Sequence, residues 1–271
     1  MHTEKIKGVY FSPTGTTKTL TCRITQYLSM LTGKSAAYYD FTLPCSRTTP
    51  LRFEQNDLVV FGMPVYAGRL PNVLLKYLDT ISGGGALAIP IVLFGNRNYD
   101  DALKELKIIL ESHGFTPIAA AAFVGEHSFS RVLGKGRPDN DDFSIADSFS
   151  GKIADKLNSG TITSTKLPDN DVPLHGYYQP RDRAGNTIDI RKVTPKTNGN
   201  CTNCGLCAEI CPMGSIDHQK TGEFINICIK CGACIKKCPV NAKYYDDKNY
   251  LYHKAELEDQ YKRRAEPICF L

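Results

Sequence analysis

Six positions of this chain recur at a constant offset of 27 residues: Cys201, Cys204, Gly205, Cys207, Cys211 and Pro212 return as Cys228, Cys231, Gly232, Cys234, Cys238 and Pro239. Each copy is a C-x2-C-x2-C-x3-C-P run. Three cysteines at that spacing wrap a short loop around a compact inorganic core, and glycine at the turn relieves the strain of close backbone approach. The fourth thiolate cannot come from the same tight loop, and in this pattern it ligates the other cluster of a pair. The runs therefore predict two [4Fe–4S] clusters. One is held by Cys201, Cys204, Cys207 and Cys238, the other by Cys228, Cys231, Cys234 and Cys211. Zinc is the competing reading, but structural zinc takes four tetrahedral ligands, usually as two C-x2-C pairs. Two identical four-cysteine runs, each closed by proline, are far more specific. The crossover ties both halves into one unit, and metal binding compensates for a core that about 45 residues could not otherwise build.

The rest of the cysteine usage agrees. Eight of the 11 cysteines lie between 201 and 238, while Cys22, Cys45 and Cys269 read as small packing residues or free thiols. The N-terminus, Met1-His2-Thr3-Glu4-Lys5, lacks a basic leader followed by an apolar stretch. A dense cysteine block without a leader binds metal more often than it forms disulfides, and the expected location is cytoplasmic. The longest apolar stretches, 86–94 and 118–124, are too short to span a bilayer.

Residues 1–158 alternate between two patterns. Strand-like segments at Lys5–Phe11, Ser35–Asp40, Asp57–Gly62, Leu87–Gly95 and Thr116–Gly125 are interleaved with helical stretches near Gly15–Leu31, Leu70–Ile81, Tyr99–His113 and Asp142–Leu157. Continuous apolar runs such as D-L-V-V-F-G are those of buried parallel strands. Strands alternating with helices imply an α/β fold, a parallel sheet covered on both faces, and five strands suit a doubly wound, flavodoxin-like sheet. Residues 159–194 form a Thr-, Pro-, Asn- and Asp-rich connector too long for an ordinary loop, with apolar anchors at Tyr177-Tyr178 and Ile188–Ile190. Residues 195–246 hold the cysteine runs and resemble the bacterial two-cluster ferredoxins, which implies a small α+β domain. A charged tail over 247–271 reads as helical near Ala255–Arg264.

Three loops follow strands at the same sheet edge, where doubly wound folds bind ligands. The first, Ser12-Pro13-Thr14-Gly15-Thr16-Thr17, joins a strand to a helix and so forms an anion site, with backbone N–H groups and the helix dipole facing outward. It lacks the lysine and spacing of a nucleoside-triphosphate loop. The second runs through Gly62-Met63-Pro64-Val65-Tyr66-Ala67-Gly68 to Pro71, the third through Gly95-Asn96-Arg97-Asn98-Tyr99. Each offers glycine and an aromatic side chain suited to stacking on a flat ring.

In these loops the chain resembles flavodoxins. That resemblance implies FMN, with its phosphate on Ser12, Thr14, Gly15, Thr16 and Thr17 and its ring among Pro64, Val65, Tyr66, Ala67, Gly68, Gly95, Asn96, Arg97 and Tyr99. It also implies that Tyr66 stacks on the ring. The chain has no tryptophan, which many flavodoxins use as a second stacking group. From about residue 5 onward the chain further resembles the flavodoxin–ferredoxin fusion proteins of anaerobic bacteria and archaea, through F-G-N-R-N-Y-D-D-A-L at 94–103, G-E-H-S-F at 125–129, G-R-P-D at 136–139 and the two cysteine runs.

The formal charge of +5 counts every thiol as neutral. Two clusters at about −2 each, their ligands deprotonated, and a flavin phosphate of about −1.5 to −2 bring the loaded protein near neutrality, so the charge does not point to nucleic acid. No Ser-His-Asp set, paired-carboxylate pocket or pyridine-nucleotide fingerprint is visible. The expectation is an electron-transfer iron–sulfur flavoprotein serving a redox partner protein or low-potential carrier, as a monomer or homodimer. The alternative is an FMN-dependent reductase of a small molecule, quinone or oxygen fed by the clusters, with His127 or Tyr99 as proton donor.

Overall fold

The computed structural model describes residues 4–160, 162–168 and 171–271. Strands β1 (Lys5–Tyr10), β2 (Ser35–Asp40), β3 (Asp57–Pro64), β4 (Leu87–Phe94), β5 (Thr116–Pro117) and β6 (Ala120–Val124) alternate with helices α1 (Thr16–Thr32), α2 (Asn72–Leu78), α3 (Ala102–Ser112) and α4 (Asn140–Asn158). The main order is β2-β1-β3-β4-β6, all parallel, with β5 also on β4: the flavodoxin-like doubly wound arrangement.

The predicted fifth strand is interrupted. Ala88 pairs with Pro117, but Ile91 pairs with Ala121, so one extra residue enters between β5 and β6. This is a bulge beside Pro90, which has no N–H to give a ladder.

Period-2 alternation divides the central strands between two cores. Val59, Phe61 and Met63 of β3 face Leu74 and Leu78 of α2 and Leu103, Leu106 and Leu110 of α3. Leu58 and Val60 face Leu20, Ile24 and Leu28 of α1 and Phe149 and Ile153 of α4. A threonine stripe lets α1 approach the sheet closely: Thr17, Thr21 and Thr25 are buried, and a Cβ on Gly62 would sit 2.0 Å from the Thr21 hydroxyl.

The small unit is closed by an antiparallel ribbon of β7 (Lys196–Thr197) and β8 (Lys243–Tyr244) and holds two single-turn helices, α5 (Leu206–Glu209) and α6 (Ala233–Lys236). Each starts at the repeated glycine, Gly205 or Gly232, with φ of 78° and 75°. Only glycine adopts that left-handed conformation without strain, so the repeat is also a backbone requirement.

The tail differs from the expectation. Its helix, α7 (Lys248–Gln260), begins earlier than the charged segment suggested, because Asp247 caps it by accepting the Tyr250 N–H at 2.9 Å. The chain then returns to the sheet as β9 (Ile268–Phe270), antiparallel to β6, with Ala121 opposite Cys269. The final residues are thus an edge strand rather than a continuation of the helix.

The connector lies along the larger unit. Thr165 donates its N–H to the Pro117 carbonyl, Leu167 enters the core, and Tyr178 donates its N–H to the Ala67 carbonyl at 2.8 Å. Ile188 and Ile190 pack with Tyr250 of α7, with Phe129 against the same cluster.

Candidate functional site

The two cysteine runs enclose two cavities. Cys201, Cys204, Cys207 and Cys238 line the first, together with Lys243 and Thr221. Cys211, Cys228, Cys231 and Cys234 line the second, together with Tyr245. The last cysteine of each run lines the cavity of the other, and Cys234 borders both. Among the described residues no three His, Cys, Asp or Glu side chains converge as a single ion would need; the thiols instead surround volumes.

Backbone donors meet the outlying sulfurs. Asn203 N–H donates to Cys201 Sγ at 3.4 Å, Ser215 N–H to Cys211 Sγ at 3.3 Å and Ala242 N–H to Cys238 Sγ at 3.2 Å. Such bonds stabilise negative charge on sulfur. Burial pushes Cys238 up, but the N–H groups of Ala242, Val240 and Lys243 outweigh it, and its thiol is held below the ordinary value. Cys231 shows the opposite balance, burial pushing it up to about 12, and burial also raises Cys228 and Cys234. Thiolates there need a cation to stabilise them, as iron does. The donor set fits an iron–sulfur group in each cavity.

Lys243, missed in the sequence, is buried against the first cavity, where its ammonium donates to Thr197 Oγ1 at 2.7 Å and to the Thr221 carbonyl. A lysine outside both motifs carries no sequence signal of such a position.

The Ser12–Thr17 loop sits between β1 and α1. Gly15 takes a φ of 107° at the helix start. Ser12 is buried, and its hydroxyl accepts the Lys18 N–H at 2.9 Å while its own N–H donates to Thr42 Oγ1. Thr17 turns its methyl toward Gly62, whereas Thr14, Gly15 and Thr16 are partly exposed. Exposed hydroxyls and a helix start with no acidic residue in its first turn suit a phosphate.

In the second loop Val65 donates its N–H to the Leu93 carbonyl, and Tyr66 and Arg69 exchange backbone bonds across a tight turn. Ala67 and Gly68 both have positive φ, 50° and 75°, as in a type I′ turn. A Cβ on Gly68 would lie 2.2 Å from Asp100 Oδ2, so the second and third loops touch. Pro64 ends β3 half-buried. Burial, then the Cys231 and Cys228 thiols, push the Tyr66 hydroxyl well above its ordinary value.

The third loop is more occupied than its sequence suggests. A Cβ on Gly95 would meet the His127 ring at 2.3 Å. The Asn96 amide is committed to the tail, donating to the Tyr261 and Arg263 carbonyls at 2.7 Å each and accepting the Ala265 N–H at 3.1 Å. Arg97 pairs with Asp100 and lies 4.4 Å over the Tyr178 ring. Tyr99 packs on Phe94 at 5.8 Å. Tyr178, from the connector, is an aromatic group at these loops that sequence position alone could not place.

Two histidines complete this edge. His127 Nδ1 accepts the Phe129 N–H at 3.1 Å, which puts its ring proton on Nε2. Burial, then Lys236, His253 and Arg97, push it down to about 3, and burial with Arg97 pushes His253 to about 4. Both are neutral near pH 7.

Residues 200–243 match the family model of the 4Fe-4S dicluster domain. No curated protein matches the chain. Among solved structures, a flavodoxin from the domain Archaea is similar at 14% identity and a TM-score of 0.41, covering 57% of this chain and 99% of its own. The Streptococcus pneumonia TIGR4 flavodoxin gives 16% and 0.41, covering 56% and 99%. The rubredoxin oxygen:oxidoreductase of Desulfovibrio gigas gives 16% and 0.43, covering 58% of this chain and 37% of its own. The fold assignment rests on strand order and register: a flavodoxin-like domain is joined to a 4Fe-4S dicluster domain. Among the described residues no helix is long and apolar enough to cross a membrane.

Proposed function

We propose that this chain is an electron-transfer protein that holds two [4Fe–4S] clusters and one FMN and links one-electron carriers to a redox partner. The observation that carries the reading is the contact of the second cysteine run with the ligand-binding edge of the sheet: Lys236 donates to the His127 carbonyl at 2.7 Å, and the Tyr66 hydroxyl of the second loop feels the Cys231 and Cys228 thiols. When bound, the clusters supply single-electron exchange and the flavin accepts one or two electrons.

The protein's part is positioning and exclusion of water. In this reading the eight cysteines hold the clusters, Ser12–Thr17 the FMN phosphate, and residues 64–68 and 95–99 the ring. Several contacts support a fixed relation between the units. Arg47 donates to the Pro212 carbonyl at 2.6 Å, Arg131 to the Ile235 carbonyl at 3.0 Å, and a Cβ on Gly232 would meet the Ser128 carbonyl at 2.4 Å. Cys204 is exposed while Cys231 and Cys234 are buried, so an external carrier meets the first site and the flavin edge meets the second. The connector seated on Ala67 favours a carrier over an open substrate pocket.

The test is anaerobic purification followed by iron, sulfide and flavin analysis and a reductive titration read by visible and EPR spectra. About eight irons and one FMN per chain, with flavin reduction slowed by loss of the second cluster, are expected. Iron without flavin overturns the account of residues 12–17, 64–68 and 95–99. Rapid turnover of a small-molecule acceptor, with no protein carrier reduced, overturns the carrier reading in favour of a reductase.

A further inference from the structure

Tyr245 lies just beyond the second cysteine run and lines the second cavity. Its ring is stacked on Tyr250, centroids 3.8 Å apart at 29°, a packing that phenylalanine would satisfy equally. Its hydroxyl is buried, and among the described residues no hydrogen-bond partner meets it at full geometry; the Cys228 thiol is the group it bears on. A buried O–H without an acceptor is destabilising, and native structures rarely retain one without a reason. The charged-when-ionised groups acting on it are the Cys228 thiol, the Tyr250 hydroxyl and the Cys234 and Cys231 thiols. Among the described residues no tyrosine lines the first cavity; its hydroxyls are those of Thr202 and Thr221, the latter 3.7 Å from Cys201 Sγ.

We infer that Tyr245 is a positioning residue whose hydroxyl donates to a sulfur of the group bound in the second cavity and makes that group easier to reduce. Reduction adds negative charge, and burial opposes it. A donor aimed at sulfur offsets that opposition at this site and not at the other. The inference rests on the reading of the second cavity as an iron–sulfur site.

The experiment is a redox titration of the holoprotein with Tyr245→Phe, followed by EPR that resolves the two clusters. At the potential where one wild-type cluster is half reduced, its reduced-to-oxidised ratio should fall several-fold, up to about tenfold for loss of one charge-assisted hydrogen bond. The other cluster should not move, and Tyr244→Phe, at the exposed neighbour, should move neither. An exchangeable deuteron coupled to the reduced wild-type cluster after transfer to D2O should be lost in Tyr245→Phe. If the variant does not fold, replacement of tyrosine by the stronger donor 3-fluorotyrosine in the wild-type sequence should shift one cluster in the opposite direction. Unchanged potentials with full iron content overturn the inference. A wild-type protein without two clusters overturns instead the functional reading beneath it.

Discussion

The ammonium of Lys236, the last residue of α6, donates to the backbone carbonyl of His127 at 2.7 Å, and it also pairs with Glu126. Both partners stand in the loop after β6, so one side chain fastens the second cysteine run to the sheet edge. Lys236→Met keeps the aliphatic stem and leaves the His127 carbonyl and Glu126 without their donor. A loss of about 1–3 kcal/mol in holoprotein stability is expected, with slower flavin reduction and unchanged iron content. Denaturant unfolding and stopped-flow reduction check it; an unaltered rate would mean the units keep their relation without this contact.

Single cysteine replacements test the crossed lining of the cavities. Cys238→Ala should remove the cluster shared with Cys201, Cys204 and Cys207 although it lies in the other run, and Cys211→Ala should remove the cluster beside Tyr66. Each variant should lose up to about four irons. Cys211→Ala alone should slow flavin reduction. Iron analysis and EPR separate the cases, and identical spectra from both variants would contradict the crossover.

Close packing of α1 on the sheet makes Gly62 intolerant of a side chain. Gly62→Ala puts a methyl 2.0 Å from the Thr21 hydroxyl. The expected cost is about 1–3 kcal/mol, measured as a lower denaturation midpoint. Thr21→Ala in the same chain should recover part of it, because the two sites share one contact. Strict additivity would place the cause elsewhere.

The neutral histidines give the protein an acid-sensitive edge. His127 is held down to about 3 and His253 to about 4, against about 6.5 for a free imidazole. Between those values the unfolded chain binds protons that the folded chain refuses, so stability rises with pH through this window. The contribution is complete above about pH 6.5 and is lost as pH falls toward about 4 and then 3. Stability measured from pH 5 to 8 should therefore decline below about 6.5, and His127→Gln should flatten the slope. A slope unchanged in the variant would assign the proton uptake to other groups.

Much of this was legible in the residues themselves. The 27-residue repeat picks out the eight thiols that line the two cavities without tertiary help, because the spacing of each run is set by local loop geometry. The strands of the sheet were equally visible: β3 and β4 are buried on both faces, and such burial demands continuous apolar runs. Helix and strand limits shifted where a capping side chain or a bulge decided them, at Asp247 and beside Pro90.

What only the tertiary structure decided are contacts between residues far apart in the chain. Asn96 reads in the sequence as a ligand-loop residue, and its amide is also seen to hold Ala265, 169 positions away. Ile268–Phe270 is too short to announce a strand and becomes one because β6 offers an open edge. Tyr178 reaches Ala67 through a connector with no period of its own, and Tyr245 lines a thiol-lined cavity from beyond the second cysteine run. Local periodicity and motif spacing fix which elements form and which thiols are candidates to bind metal, since both are short-range properties of the chain. Which buried donor faces which sulfur depends on how separate elements pack, and no local pattern encodes it.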